Sequence, residues 1–292
     1  MARNGKGKDE DKAAHLRERL RLPVGRPVDL GAYDAAATPG GPGDKAAAKD
    51  ATARTGKRLA ALQERLWAAG VRGDRRRLLL VLQGMDTSGK GGTVKHVVSH
   101  FNPSGCRLKA FKQPTDEERR HPFLRRVRRA LPEPGEIGVF DRSHYEDVLI
   151  ARVHELAPST EIELRYPQIN DFERTLTEDG VTVVKCFLHI SYEEQCRRLL
   201  KRLDNPEKHW KFDPADIEER ARWPAYQEAY RIALERCSTR DAPWYLIPAD
   251  HKWYRNWAIS RLLLAHLEEL DPGYPAADFD VARCRERLLK EG

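Results

Sequence analysis

The apolar run Leu78-Leu79-Leu80-Val81-Leu82 leads through Gln83 into Gly84-Met85-Asp86-Thr87-Ser88-Gly89-Lys90-Gly91-Gly92, and a segment with helical patterning follows. Strand, glycine loop and helix in that order commit this part of the chain to one unit of an α/β fold. Successive N–H groups of such a loop, with the positive end of the next helix, form a concave cradle for phosphate oxygens. Gly84, Ser88, Gly89, Gly91 and Gly92 are the candidate cradle, and Lys90 adds a mobile positive charge. The spacing Gly-x4-Gly-Lys is that of a Walker A loop, but Gly91 stands where a magnesium-binding Ser or Thr is expected. Alone, the shortened pattern would arise by chance in about one chain in ten of this length at average glycine usage.

The remaining sequence alternates in the same way. Short apolar runs ended by Gly, Pro, Asp or Ser predict strands at 77–83, 106–111, 136–140, 181–190 and 244–248. Helical spacing predicts helices at 44–69, 90–100, 115–130, 144–155, 161–178, 191–203, 214–236, 251–270 and 278–290. This implies a mostly parallel five-stranded sheet covered by helices on both faces, with ligands at the carboxyl ends of the strands. Residues 1–44 carry Pro23, Pro27, Pro39, Pro42 and seven glycines, and read as an extended or partly ordered arm before a single domain at 45–292.

Several function classes are excluded by composition. No apolar run of about 18 residues is present, so no transmembrane helix is expected. The first ten residues have no apolar core for a signal peptide, which makes a cytoplasmic protein the default. Five widely spaced cysteines form no C-x-x-C pair and read as free thiols. The net charge of +7 is concentrated: Arg119, Arg120, Arg125, Arg126, Arg128 and Arg129 crowd one segment, and Arg197, Arg198, Lys201, Arg202, Lys208 and Lys211 another. Such clusters are solvated helix faces or the walls of a basic groove for a polyanion.

A second phosphate element lies at Glu136-Ile137-Gly138-Val139-Phe140-Asp141-Arg142-Ser143-His144-Tyr145. An aspartate closing an apolar strand can hold a magnesium ion opposite the glycine loop, and the adjacent Arg142 can neutralise a transferring phosphoryl group. The alternative is that Asp141 caps the following helix. Phe111-Lys112-Gln113-Pro114-Thr115 is the candidate nucleotide-side loop, with Thr115 and Glu118 equally readable as a helix capping box.

The loop GMDTSGKGGTVKHV, the segment FKQPTDEE, the strand GEIGVFDRSHYEDVL and the tract RRLLKRLDNPEKHWKF together resemble the polyphosphate kinase 2 family, over about residues 20–270. The resemblance implies a P-loop kinase fold and phosphoryl transfer between inorganic polyphosphate and nucleotides. It implies that Lys90 contacts the transferring phosphate, and that Asp86 and Asp141 hold Mg2+, or Mn2+ in its place. Asp86 would thus answer for the missing residue at 91, with Thr93 a second substitute. Arg142 matches a phosphate-contacting arginine. The tract 191–222 resembles a helical lid, in which Arg197, Arg198, Lys201 and Arg202 would close on phosphates. Arg142-Ser143-His144-Tyr145-Glu146-Asp147 looks like members that accept AMP, or both AMP and ADP. AMP, ADP and ATP are the implied nucleotides, with guanine nucleotides a further option, and a homodimer or homotetramer the implied assembly, for which the 44–69 helix is one contact surface. Neither a membrane nor a specific nucleic acid is implied. Two other readings compete: an ATP-dependent nucleoside monophosphate kinase of the thymidylate kinase type, and a basic, non-catalytic binder of nucleic acid or polyphosphate.

Overall fold

A computed structural model describes residues 15–291. Its centre is one five-stranded sheet: β1 (Arg77–Gln83), β2 (Cys106–Ala110), β3 (Ile137–Asp141), β4 (Val181–His189) and β5 (Trp244–Pro248). The spatial order is β2-β3-β1-β4-β5 and all neighbours pair in parallel. Parallel pairing requires a crossover between successive strands, which is why helices separate them in the sequence.

Helices surround it: after a helical stretch at 15–20 come α1 (Lys45–Val71), α2 (Lys90–His96), α3 (Asp116–Arg119), α4 (Leu124–Arg128), α5 (Ile150–Val153), α6 (Ser159–Glu178), α7 (Tyr192–Leu203), α8 (Ala215–Ala221), α9 (Trp223–Cys237), α10 (Lys252–Leu270) and α11 (Val281–Glu291). The two-residue period of a strand sends alternate residues to opposite faces. On β1, Leu79 and Val81 join one core with Tyr166, Ile169 and Phe172 of α6 and Tyr230 and Leu234 of α9. Leu78, Leu80 and Leu82 join the other, with Leu59 and Leu66 of α1 and Ile259, Leu262 and Leu263 of α10. All five are fully buried, which at about 1.5–3 kcal/mol each fixes β1 at the centre.

Four expected helices are shorter or divided. The 115–130 segment is two pieces, because Pro122 offers no N–H to carry α3 into α4. The 90–100 and 144–155 segments pass into or out of 3-10 turns at Val98–His100 and His144–Asp147. The 214–236 segment breaks at Arg222, with Pro224 in the first turn of α9. One face of α1 is buried within the chain, at Leu59, Gln63, Leu66 and Ala69, and the opposite face is exposed.

Residues 15–44 run along the β5 edge of the sheet, from the amino end of that strand, at Arg21 and Leu22, to its carboxyl end, at Ala35. Leu16, Leu20, Leu22, Val28, Leu30 and Ala35 are buried, Arg21 forms an antiparallel bridge with Tyr245, and Leu22 N–H donates to the Trp244 carbonyl at 2.8 Å. The signal-peptide expectation for the first ten residues lies outside the described residues.

Candidate active site

β1 and β3 lie side by side, so their carboxyl ends bring the glycine loop and the Asp141-Arg142 pair together, with Leu82 opposite Asp141. Gly84 leaves β1 at φ +150° and Gly89 enters α2 at φ +111°, backbone geometry that a side chain disfavours. A Cβ at Gly84 would sit 2.6 Å from the Leu188 carbonyl oxygen. Thr87 and Arg142 also have positive φ, at 63° and 61°. For a β-branched residue such as Thr87 this is a strained conformation, and strain of this kind concentrates at functional sites. The buried hydroxyls of Thr87 and Ser88 have no hydrogen-bond partner. A loop with unsatisfied buried donors suits an anion.

Lys90 is buried, and its ammonium donates to the carbonyls of Gly84 at 2.7 Å and Met85 at 3.3 Å. Burial, together with nearby Arg142, lowers its pKa below the usual lysine value, against the pull of Asp86, Asp141 and Glu146. Arg142 donates to an Asp86 carboxylate oxygen at 2.9 Å. Burial would raise the Asp86 pKa, but the charges of Lys90, Arg142 and Arg202 outweigh it and hold the carboxyl below its ordinary range. Glu146 goes the other way: burial lifts its pKa, with Arg142 and Lys90 opposing. The site therefore gathers Asp86, Asp141 and Glu146 around Lys90 and Arg142.

The capping alternative for Asp141 falls to a neighbour. Ser143 caps the 3-10 turn, its Oγ accepting from the Tyr145 N–H at 3.2 Å, which leaves the Asp141 carboxylate free for other work. Thr115 does form the capping box, with the Glu118 N–H donating to its Oγ1 and the Thr115 N–H donating to Glu118. Thr93 is buried and its hydroxyl donates to the Gly89 carbonyl at 3.3 Å. At Gly91 a Cβ would meet nothing within 4 Å, so packing does not demand the glycine that replaces Ser or Thr.

Behind the loop, the structure corrects the expected roles of the lid arginines. Arg198 spends all five N–H groups on protein: Nε on Glu194, Nη1 on the carbonyls of Thr87 and Ser88, Nη2 on those of Ala249 and Asp250. It fixes the loop and has no donor left for a phosphate. Arg197 points outward and pairs with Glu194, and Lys201 is exposed. Arg202 donates to the Lys211 carbonyl and to Asp216. The lid elements turn acidic groups, Asp213, Asp216 and Glu219, toward a large cleft instead.

That cleft holds about 1130 Å³ and opens beside Gly84, Asp86 and Arg142. Lys112 and Gln113 line it, and Phe111, Phe123, Ile150, Leu156 and Leu164 give it an apolar wall. Arg126, Asp147 and Arg165 supply its polar groups; Arg126 donates to Asp147 at 3.1 Å and Arg165 to the Asp147 carbonyl at 2.6 Å. Of these, Arg126 and Asp147 stand in tracts already noted in the sequence, whereas Arg165 lies on α6 without a motif to single it out. No tryptophan lines the cleft; its aromatic rings are Phe111, Phe123, Tyr226 and Tyr230.

A parallel sheet in this strand order, with a glycine loop and lysine after β1 and an Asp-Arg pair closing β3, defines a P-loop kinase. Residues 43–274 match the family model described as polyphosphate kinase 2. The chain belongs to the polyphosphate kinase 2 family. It is 47% identical over 87% of its length to an AMP/ADP-polyphosphate phosphotransferase of Meiothermus ruber, covering 93% of that protein. It is 42% identical over 80% of its length to an ADP-polyphosphate phosphotransferase of Rhodopseudomonas palustris, covering 85% of it. Its fold matches the crystal structure of polyphosphate kinase 2 from Arthrobacter aurescens with a TM-score of 0.91 and 50% identity, covering 94% of this chain and 96% of that one. Among the described residues no helix is long and apolar enough to cross a membrane.

Proposed function

We propose that the chain transfers phosphoryl groups reversibly between inorganic polyphosphate and the nucleotides AMP and ADP. The observation that carries this is the placement of the cleft: a half-apolar, half-charged cavity large enough for a nucleotide opens directly beside the Asp86–Arg142 pair and the mouth of the glycine loop. The nucleotide would lie along Phe111–Pro114 and Phe123, with its terminal phosphate at Arg142. The donor phosphate would sit on the loop, where the Lys90 ammonium leaves the Gly84 and Met85 carbonyls for phosphate oxygens.

A terminal oxygen of the acceptor attacks the terminal phosphorus of polyphosphate, and the bridging P–O bond of the donor breaks, leaving a chain shorter by one unit. Catalysis of this kind rests on positioning and charge neutralisation, which Lys90 and Arg142 supply, rather than on covalent intermediates. No cluster of three or more His, Cys, Asp or Glu suited to a metal occurs among the described residues. Mg2+ binds through one or two carboxylates and completes its shell with water and substrate phosphates. Asp86 and Asp141 would hold it, with Mn2+ able to substitute, and its charge would offset that developing on the transferred group.

The reading extends to guanine nucleotides as secondary acceptors and to a homodimer or homotetramer, which light scattering of the full chain tests. Purified protein is incubated with long-chain polyphosphate, Mg2+ and AMP, ADP, GMP or GDP in parallel, and products are separated by chromatography. Formation of ADP and ATP is expected. Phosphorylation of AMP by ATP, with none from polyphosphate, would instead establish the monophosphate kinase.

A further inference from the structure

Arg255, on α10, is 2% exposed, yet no ion pair with an Asp or Glu is made by it among the described residues. Its Nη1 donates to the Ser88 carbonyl at 3.1 Å, and its Nε and Nη2 both donate to the Asn256 Oδ1, at 3.1 and 2.8 Å. The guanidinium packs against the glycine loop. A Cβ added at Gly89 would fall 1.6 Å from Nη1, and one at Gly92 would fall 2.7 Å from Nη2. The guanidinium thus fills the space a side chain would take at Gly89 and at Gly92, and at Gly89 the backbone conformation favours glycine as well.

A buried charge without a counter-charge is costly to keep. Here the cost is compounded, because burial and then the neighbouring Arg198 lower the Arg255 pKa to about 9, and Lys252 feels both arginines. Arg198 at least has Glu194; Arg255 has only neutral acceptors. An arrangement of this kind is relieved when an anion reaches the other groups of the loop, since charge in a low-dielectric site acts over several ångströms.

We propose that Arg255 is a positioning residue that charges the glycine loop from behind, its missing counter-ion being the polyphosphate donor. The inference rests on the proposed polyphosphate activity. Its consequences are specific to the donor: Arg255 adds to the affinity for condensed phosphate, fixes Ser88 in the loop, and does not touch the nucleotide cleft.

The test uses the Asn256 side chain, which already accepts two of the guanidinium's hydrogen bonds. Asn256→Asp places a carboxylate there with almost no change in shape. In the full-length protein this variant should melt at a higher temperature than wild type, bind tripolyphosphate about tenfold more weakly by calorimetry, and show a KM for polyphosphate raised in proportion, with KM for ADP unchanged. Arg255→Lys should keep tripolyphosphate affinity within about threefold, and Arg255→Met should lose it as Asn256→Asp does. A merely structural arginine predicts the opposite pattern, with Arg255→Met lowering the melting temperature and leaving the tripolyphosphate affinity of Asn256→Asp within twofold of wild type; that result would overturn the assignment. Wild-type turnover with polyphosphate reports separately on the activity, so the two readings fail in different experiments.

Discussion

Lys185 and Glu173 form an ion pair in the middle of the protein, and cutting it should cost stability and turnover together. Both are essentially fully buried, with 2.5 Å between Nζ and Oε2. The ammonium also donates to the Tyr145 hydroxyl at 2.9 Å and to the Cys237 carbonyl at 2.6 Å, while Glu173 accepts from the Tyr145 hydroxyl at 2.8 Å and contacts the His144 Nε2 at 3.1 Å. Lys185→Met would leave the carboxylate without its cation. Breaking one side of a buried pair costs about 3–5 kcal/mol, a large share of the roughly 5–15 kcal/mol that holds a domain folded. A drop in melting temperature of about 10 °C follows for a chain of this size. His144 and Tyr145 follow directly on Asp141, Arg142 and Ser143, so kcat should fall as well.

The pH dependence fixes the sign. In the wild type, burial would raise the Glu173 pKa, but Lys185 and His144 win and lower it below 4.5, so its contribution to stability is present above that pH and lost on acidification. In Lys185→Met the carboxyl is raised instead, so the deficit is largest at neutral pH and shrinks from pH 7 to pH 5. Urea titrations read both effects, provided the m-value is unchanged. Adding Glu173→Gln should recover at least about 2 kcal/mol, because the stranded charge is gone. A single-variant cost below about 1 kcal/mol, or a double variant no better than the single one, refutes the argument.

Asp86→Asn and Asp141→Asn should each lower turnover at least about 100-fold with melting temperatures little changed, since only metal binding and the Arg142 contact are altered; near-wild-type rates in both would remove the metal assignment. Gly91→Ala faces open space and should leave stability unchanged or raise it by up to about 1 kcal/mol. Gly89→Ala, at φ +111° with Arg255 in the way, should cost about 2 kcal/mol or more, so equal chemical-denaturation midpoints for the two would contradict the loop geometry. His266 is buried with its Nε2 unpartnered, and burial, aided by Arg17 and Arg21, pushes its pKa down to about 3. Unfolding then takes up a proton between pH 6.5 and 3, so stability falls with acidification by up to about 1.4 kcal/mol per pH unit. His266→Leu should flatten the profile of melting temperature against pH between 7 and 5, and an unchanged slope would count against this.

The sheet was legible because most of its strands are dominated by apolar residues and end at a turn signal, even where β2 alternates with Arg107 and Lys109 and β4 carries Lys185, and every expected strand lies within one residue of its observed limits. The glycine loop, Asp86, Lys90, Asp141 and Arg142 were legible for a related reason: a strand end places its next residues in the crevice, so sequence position implies spatial position. That logic stops at helices. Arg197, Arg198, Lys201 and Arg202 lie close together in the sequence, but α7 turns them in different directions, and of the four Arg198 reaches the loop, on its protein side. Arg165 and Arg255 carry no local signal at all. Arg255 could have been suspected only from an arginine within the otherwise apolar-faced helix at 252–270, which by composition is as easily a solvated position.

The N-terminal strap has a practical consequence for anyone shortening this protein. Its proline- and glycine-rich composition invites removal, yet Ala35 takes the Asp250 N–H at 3.1 Å, Pro39 takes the Tyr254 hydroxyl at 2.9 Å, and the Tyr33 carbonyl meets His189 at 3.0 Å. Residues 249 and 250 in turn supply two of the five acceptors that hold Arg198. A cut after residue 40 would thus loosen the junction between β5 and α10 and, two contacts further on, the floor beneath the phosphate loop.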